Sequence, residues 1–405
     1  MMSESLLPTY LADVTHYLET EEPQLWDWFA SAKVKSEHGD NVRLQLLKST
    51  YRIDPQTQSH LYAIAQGVAE KLGIERPITL YQGQQINELN ASLAYIPDEP
   101  HVIFYGPLLK TLQDEEIAAV LGHELYHFQL WERDEQRYFT AYQILEALAQ
   151  DHQADACYLE SVRLFSLFTE VYCDRGAYLA TDNLNVAVSA MVKMVTGLDA
   201  VSAEAYLQQA DEILEKHAKG SMHVTHPESF LRTKALAVWQ EQQDEGLVMR
   251  LIRGPVALGQ LDVLEKESLS RQTRALIELL LQYPWMRTEA VLAHARQFFH
   301  DFQTTDNQEF INTNQTQLHQ ALKAGHKSVK DYLCYVMLDF AAVDQSLDEA
   351  PLAHCLLLSE SLGVMSHFSE MVRKELGLTK KALDTLSASA ADLLDKLAAS
   401  GETHE

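Results

Sequence analysis

The 405-residue chain is poor in positive charge: 32 Lys and Arg stand against 58 Asp and Glu, a net charge of −26. A surface this acidic repels polyanions, which excludes nucleic acid and anionic membranes as expected partners. Cysteine is also scarce. Cys157, Cys173, Cys334 and Cys355 form no CxxC pair and no zinc-ribbon spacing. They are expected as buried, reduced thiols in a reducing compartment. No uninterrupted apolar run reaches the roughly 18 residues that a membrane span needs. The nearest stretch, Ala177 to Leu198, is interrupted by Asp182, Asn183, Asn185 and Lys193 and is expected as a buried soluble helix. The first residues show no basic region followed by an apolar one, so no signal peptide is expected. A repeat of fixed period is lacking, and so is a low-complexity tract apart from a polar tail after Ala399. These absences leave a soluble, cytoplasmic protein without an integral membrane segment. Its 46% apolar content suffices for a large core, and its length for two or three domains.

What is present is mostly helical periodicity. Residues 5 to 35 place Leu, Tyr, Trp and Phe at helical spacing, with Trp26, Trp28 and Phe29 expected in the core. Leu61 to Leu72 reads as a helix ended by Gly73. Ile78 to Tyr81 reads as a short strand closed by Gly83. His101 to Tyr105 is a β-rich run between Pro100 and Gly106, and Pro100 with Pro107 suits a sheet edge. From Asp114 nearly everything reads as helix, opened by Asp114, Glu115 and Glu116 at the positive end of the macrodipole. Helices extend to about residue 217, break over 220–227, and resume from Pro227 to about Gly246. Gly254-Pro255 is a joint before a helical C-terminal half. The domains expected are an N-terminal helical segment over 1–50, a catalytic domain over 51–250 and a helical domain over 251–405.

The chemistry is concentrated in His123-Glu124-Leu125-Tyr126-His127. On a helix, histidines four apart project from one face, one turn apart. Two nitrogens so placed can share one zinc ion at about 2.0–2.1 Å. Glu124 then stands beside the metal as a general base, the pattern of H-E-x-x-H metalloproteases. Ile117 to Gly122 are small and apolar. Over 117–128 the ionisable groups are those of the motif and the Tyr126 phenol. Buried charges of this kind need a partner, which a metal supplies. A third protein ligand is required. Glu146, Glu160 and Glu170 are the candidates. Glu170 is followed four residues later by Asp174, whose carboxylate could accept the second N–H of a ligating histidine. Glu146 has Gln150 at that position and Glu160 has Leu164. Glu146 follows the motif at the spacing of aminopeptidase-type zinc enzymes and stays open as a rival.

The run Glu115 to His127 resembles the active-site helix of the M48 family of zinc metallopeptidases, gluzincins of the HtpX type. Glu170 with Asp174 resembles their downstream ExxxD. Asn90-Ala91-Ser92-Leu93-Ala94, Val102 to Leu109, and Thr225-His226-Pro227-Glu228 with Arg232 resemble further family blocks, all within about residues 55 to 240. The resemblance implies a mainly α (α+β) fold of the zincin type, with a small sheet over the HExxH helix, and one Zn2+ on His123, His127 and Glu170. It further implies a substrate strand at Val102, Ile103, Phe104 and Tyr105, placed at the sheet edge, where a peptide is added as an extra strand. His226 would act as a transient ligand or as a donor to the oxyanion, although its position before Pro227 also suits a helix start. Arg232 would orient a carboxylate. Two departures are the lack of membrane helices, which many relatives have, and Cys173 where a small residue is usual.

Farther on, Tyr335 to Glu349 resembles the acidic turn of tellurite-resistance TerB-like helical domains, over about 325–380. Asp344, Asp348 and Glu349 read there as a divalent-ion site or, more simply, as a capped helix start. Met365, Phe368 and Met371 are expected in the core. The function expected is a zinc metalloendopeptidase acting on proteins or peptides. The C-terminal helices would cover the cleft, dimerise or recruit a protein partner. A chaperone-like or adaptor protein with little cleavage, and an aminopeptidase using Glu146, are the alternatives.

Overall fold

The computed structural model describes residues 7–85, 87, 89–216, 221, 226–254 and 256–401. The chain divides into two compact units, Met1–Gly254 and Pro255–Glu405. It is mostly helical, with one four-stranded sheet in the first unit.

The first unit opens with α1 (Thr9–Glu21), α2 (Pro23–Phe29) and α3 (Ala32–Ser49). The single helix expected over 5–35 is thus broken at Pro23, whose ring suits the first position of a new helix. Nothing in α2 is buried. Trp28 is 58% exposed, while Trp26 and Phe29 are only half-buried, so the core position expected for this trio is corrected. A seven-residue helix is too short for its periodicity to say which face will find a partner. Then come β1 (Thr50–Arg52), α4 (Ser59–Leu72), β2 (Thr79–Gly83), β3 (Asn90–Ile96), β4 (Glu99–Tyr105) and the short α5 (Leu108–Thr111). Gly73 ends α4 in the left-handed conformation at φ 71°, which glycine adopts without steric cost.

The strand order is β1-β2-β4-β3. β4 runs parallel to β2 and antiparallel to β3, pairing Val102 with Leu80 on one side and Leu93 on the other. The strand 102–105 is therefore internal, and its placement at the sheet edge is corrected. Its N–H and C=O groups are used on both sides, so no peptide can add there. The edge beyond it is β3.

Two long helices form the centre: α6 (Asp114–Gln150) and α7 (Cys157–Thr181). In α6 the backbone leaves helical geometry at Arg133, Asp134, Glu135 and Gln136, and the last three have positive φ. The arm 114–132 is thereby separated from 137–150. The stretch Ala177 to Leu198 is not one helix. α7 stops at Asp182 in the left-handed region, and Asn183 caps α8 (Leu184–Thr196) by accepting from the backbone N–H of Asn185 at 3.0 Å. The unit closes with α9 (Ala203–Lys216), α10 (Ser229–Gln242) and α11 (Glu245–Arg253). The expected break over 220–227 falls largely outside the described residues, as does Thr225.

The second unit holds α12 (Val263–Leu280), α13 (Glu289–Phe298), α14 (Gln308–Ala324), α15 (Lys327–Ala342), α16 (Ala350–Ser361), α17 (Met365–Glu375) and α18 (Lys380–Gly401) around its own core. Phe368 and Met371 are buried in that core and Met365 packs against it. Asp344 accepts from the Ser346 backbone N–H at 3.0 Å and from its hydroxyl at 2.6 Å, which is the geometry of a capped turn. All four cysteines are buried and free. Among the described residues no helix is long and apolar enough to cross a membrane.

Candidate metal centre

α6 and α7 cross at two glycines. A β-carbon on Gly122 would stand 2.5 Å from the Gly176 carbonyl oxygen, and one on Gly176 2.5 Å from that of Gly122. Real β-carbons do not approach so closely, so glycine at both positions lets the two backbones touch. His123 follows Gly122, and Asp174 precedes Gly176 by two residues. The crossing thus brings the HExxH face of α6 against the carboxylates of α7. Close by, the rings of Tyr126 and Tyr172 stack with centroids 4.6 Å apart. The N-terminal end of α6 is held by a buried pair: Lys193 Nζ of α8 lies 2.9 Å from Glu116, which also accepts from the Gln113 backbone N–H at 2.9 Å.

His123, His127 and Glu170 converge so that one ligand atom from each lies within 4.8 Å of the others. His123 Nε2 is 3.5 Å from Glu170 Oε2, and His127 Nε2 is 3.4 Å from Glu170 Oε1. Two corners of a tetrahedron with metal–ligand bonds of about 2.0–2.2 Å lie roughly 3.3–3.6 Å apart. The three side chains therefore fit one small cation. The imidazole and carboxylate donors are those that zinc accepts.

Behind the ligands lies an ordered layer of charge. His123 Nδ1 sits 3.1 Å from Asp174 Oδ1. With Nδ1–H donated there, loss of the Nε2 proton would leave a lone pair toward the cluster, the tautomer that metal ligation requires. Arg232, from α10, donates to Asp174 through Nε at 2.8 Å and Nη2 at 2.5 Å, and its Nη1 is 3.2 Å from Glu170 Oε2. One planar guanidinium thus spans both carboxylates, as a lysine could not. His226 Nδ1 is 3.1 Å from Glu170 Oε2, yet its side chain is 62% exposed.

The electrostatics follow. Burial pushes the Glu170 carboxyl up, but Arg232 and the three imidazoles outweigh it and hold the group well below the usual carboxylate range. Burial acts the same way on Asp174, and Arg232 and His123 again prevail. Burial opposes charge on His123, but its hydrogen bonds to Asp174 and Glu170 raise the imidazole to about 10. The carboxylates are thus held ionised, with protonated histidine and arginine supplying the positive charge that a divalent ion also offers.

Glu124 is buried and lines a cavity of about 610 Å3 that also receives His123, His127, Glu170 and His226. On the sheet side this cavity is bordered by Asn90 to Leu93 of β3. The other two candidate glutamates lie apart. Glu146 is on the second arm of α6 beyond the break at 133–136, where it accepts from Gln150 at 3.4 Å. Glu160 holds Arg163 with two bonds of 2.8 and 2.6 Å. Neither Glu146 nor Glu160 belongs to the metal-capable group, the one such group among the described residues. The acidic turn Asp344, Asp348 and Glu349 is not one either.

Three features escaped the sequence reading. The Gly122–Gly176 contact had as its signal only two glycines inside helical periodicity. The Lys193–Glu116 pair joins residues 77 apart. The edge role of β3 was concealed because Asn90-Ala-Ser-Leu-Ala-Tyr-Ile96 is mild in β-propensity.

The helices and small sheet around a group that could hold a metal ion are consistent with a metallopeptidase domain. Residues 55–240 match the model of Peptidase family M48. The plastoglobule-localized metallopeptidase 48, chloroplastic, of Arabidopsis thaliana is 27% identical over 230 residues, covering 52% of this chain and 65% of that protein. The chain thus spans just under two thirds of that relative's length. No solved structure matches the chain.

Proposed function

We propose that the chain is a zinc-dependent metalloendopeptidase that hydrolyses proteins or peptides. The observation that carries this is the convergence of His123, His127 and Glu170, with His123 oriented by Asp174. Zinc, when bound, supplies a Lewis acid for the scissile carbonyl and lowers the pKa of water toward neutrality. Glu124 accepts the proton of the attacking water and delivers it to the leaving amine. His226, exposed at the cavity and aimed at Glu170, donates a hydrogen bond to the developing oxyanion. Substrate lies extended along β3, whose outer edge has no strand beside it among the described residues, so that main-chain hydrogen bonds position the scissile bond over His123 and Glu124. Arg232 holds Glu170 and Asp174 in place for this. The four buried thiols favour a reducing compartment, the cytoplasm in our reading.

The adaptor alternative has no use for a buried carboxylate at position 124, and the aminopeptidase alternative has no ligand in Glu146. The test uses Glu124→Gln, Glu170→Ala and Glu146→Ala. The first is expected to keep zinc and lose at least about a hundred-fold in hydrolysis of a denatured protein. Glu170→Ala should lose zinc and Glu146→Ala should keep it. Undiminished hydrolysis by Glu124→Gln, or wild-type protein that never retains zinc, would overturn the proposal.

A further inference from the structure

The cavity over His123 and Glu124 has two unlike walls. One is mixed, with Asn90 and Ser92 of β3 beside Ala91 and Leu93, and with His226. The other is one face of α8: Ala187, Ala190, Met191, Met194 and Val195, at the i, i+3, i+4, i+7 and i+8 spacing of an apolar stripe. A stripe of this kind normally faces a core. Here its far end is open: Met191 and Met194 are only half-buried, and Val195 is 66% exposed.

The wall is uncharged throughout. The one ionisable side chain of α8, Lys193, is buried and paired with Glu116 at 2.9 Å, and it is not among the residues lining the cavity. That pair also ties α8 to the start of the helix that bears His123. Asn183 caps α8 and Gly197 ends it at φ 69°. The apolar face is therefore held at a set distance from the ligands, while its two methionines, unbranched and with three rotatable bonds, adapt to side chains of different shape.

We propose that this face of α8 selects the substrate. The peptide residue beside the scissile bond places a bulky apolar side chain, such as Leu, Met or Phe, against Met191, Met194 and Val195. A charged side chain at that position is rejected, because it would lose water without gaining a partner. The assignment rests on the peptidase reading above, and it makes these three residues specificity-determining.

The test maps the cleavage sites of the zinc-loaded full chain in a random peptide library by mass spectrometry. The wild type, Met194→Leu, Met194→Lys and Val195→Lys are compared. In parallel, binding of two fluorescent peptides that differ only in a central Leu or Glu is measured on Glu124→Gln, alone and combined with Val195→Lys. The wild type should favour an apolar residue beside the cut by about ten-fold or more over Glu or Lys. Met194→Leu should keep that preference. Both lysine variants should lose about ten-fold on apolar sites and gain on acidic ones. Val195→Lys sits at an exposed position and guards against loss by misfolding. Cleavage by the wild type without apolar preference, or a preference untouched by either lysine, overturns the role of α8 and leaves the peptidase reading standing. No cleavage with a ten-fold tighter Leu peptide on Glu124→Gln overturns the peptidase reading and supports the wall. Neither cleavage nor binding preference overturns both.

Discussion

Gly122 and Gly176 touch where α6 crosses α7, each leaving less room for a β-carbon than any real contact allows. The obstacles are the two carbonyl oxygens and the β-carbons of Ala180 and Tyr126, which cannot swing aside as the far end of a side chain can. Gly122→Ala sets two effects against each other. Alanine favours the helix by about 1 kcal/mol, whereas overpacking a close contact costs about 1–3 kcal/mol and shifts the backbones apart. The clash should win, because the helices must separate to admit the methyl group. The expected outcome is a lower urea midpoint together with weaker zinc binding, because His123 moves relative to Glu170. A variant with unchanged midpoint and full zinc content would remove the crossing from the account of the site.

Arg232 is the positive charge shared by Glu170 and Asp174. Replacing it with Met leaves two buried carboxylates facing each other without it. Breaking a buried ionic network in this way costs about 3–5 kcal/mol, and both carboxyls should then titrate higher. A bound divalent cation supplies part of the missing charge, so the loss should be largest in metal-free protein and smaller with zinc. Lysine at 232 should restore only part, since one ammonium cannot span both carboxylates as the planar fork does. Denaturation midpoints of the wild type and both variants, with zinc and with chelator, check this. Equal losses in the two conditions would count against the shared-charge reading.

His354 in the second unit is buried, lies 3.2 Å from the Leu279 carbonyl through Nε2, and meets the Tyr283 ring edge-on. Burial lowers its pKa to about 4, despite backbone hydrogen bonds to Leu279 and Leu280 that oppose the shift. In the unfolded chain it titrates near the ordinary value of about 6.5. Above that pH the imidazole is neutral in both states and favours neither. As pH falls from about 6.5 toward about 4, the unfolded state takes up the proton first and the folded state loses stability. The full loss is about 3 kcal/mol. Protection of the α12 and α16 amides in the full chain, with exchange rates corrected for their intrinsic pH dependence, should therefore fall over this window. His354→Gln, which keeps a donor for Leu279, should flatten the dependence, and an equally steep slope in that variant would refute it.

Much of the site was legible because helix geometry is local. Histidines at 123 and 127 must share a face of any helix that holds both, and so must Glu170 and Asp174. The closing glycine of α4 was legible for the same local reason. Where the reading failed, a distant partner decided. Nothing in His101-Val-Ile-Phe-Tyr105 says whether it is an edge or an inner strand, and Pro100, which suits an edge, stands in β4 opposite Tyr95. Trp28 is apolar and periodic but stays exposed, meeting only the ring of Phe29 beside it among the described aromatic contacts. The helix expected through Ala177–Leu198 stops at Asp182, where a side-chain cap competes with helix continuation.

The sequence by itself determined which residues could ligate, and that two pairs of them face the same way, because a repeat of 3.6 residues per turn is set by neighbouring backbone bonds alone. Only the tertiary structure decided which of three glutamates meets those histidines and which strand is left at the edge. It likewise decided that the apolar face of α8 opens onto the cavity over His123 and Glu124 rather than into the core. Those outcomes depend on how closely two helix backbones approach at Gly122 and Gly176 and on where α6 breaks. Such contacts join residues tens of positions apart, which no local periodicity encodes.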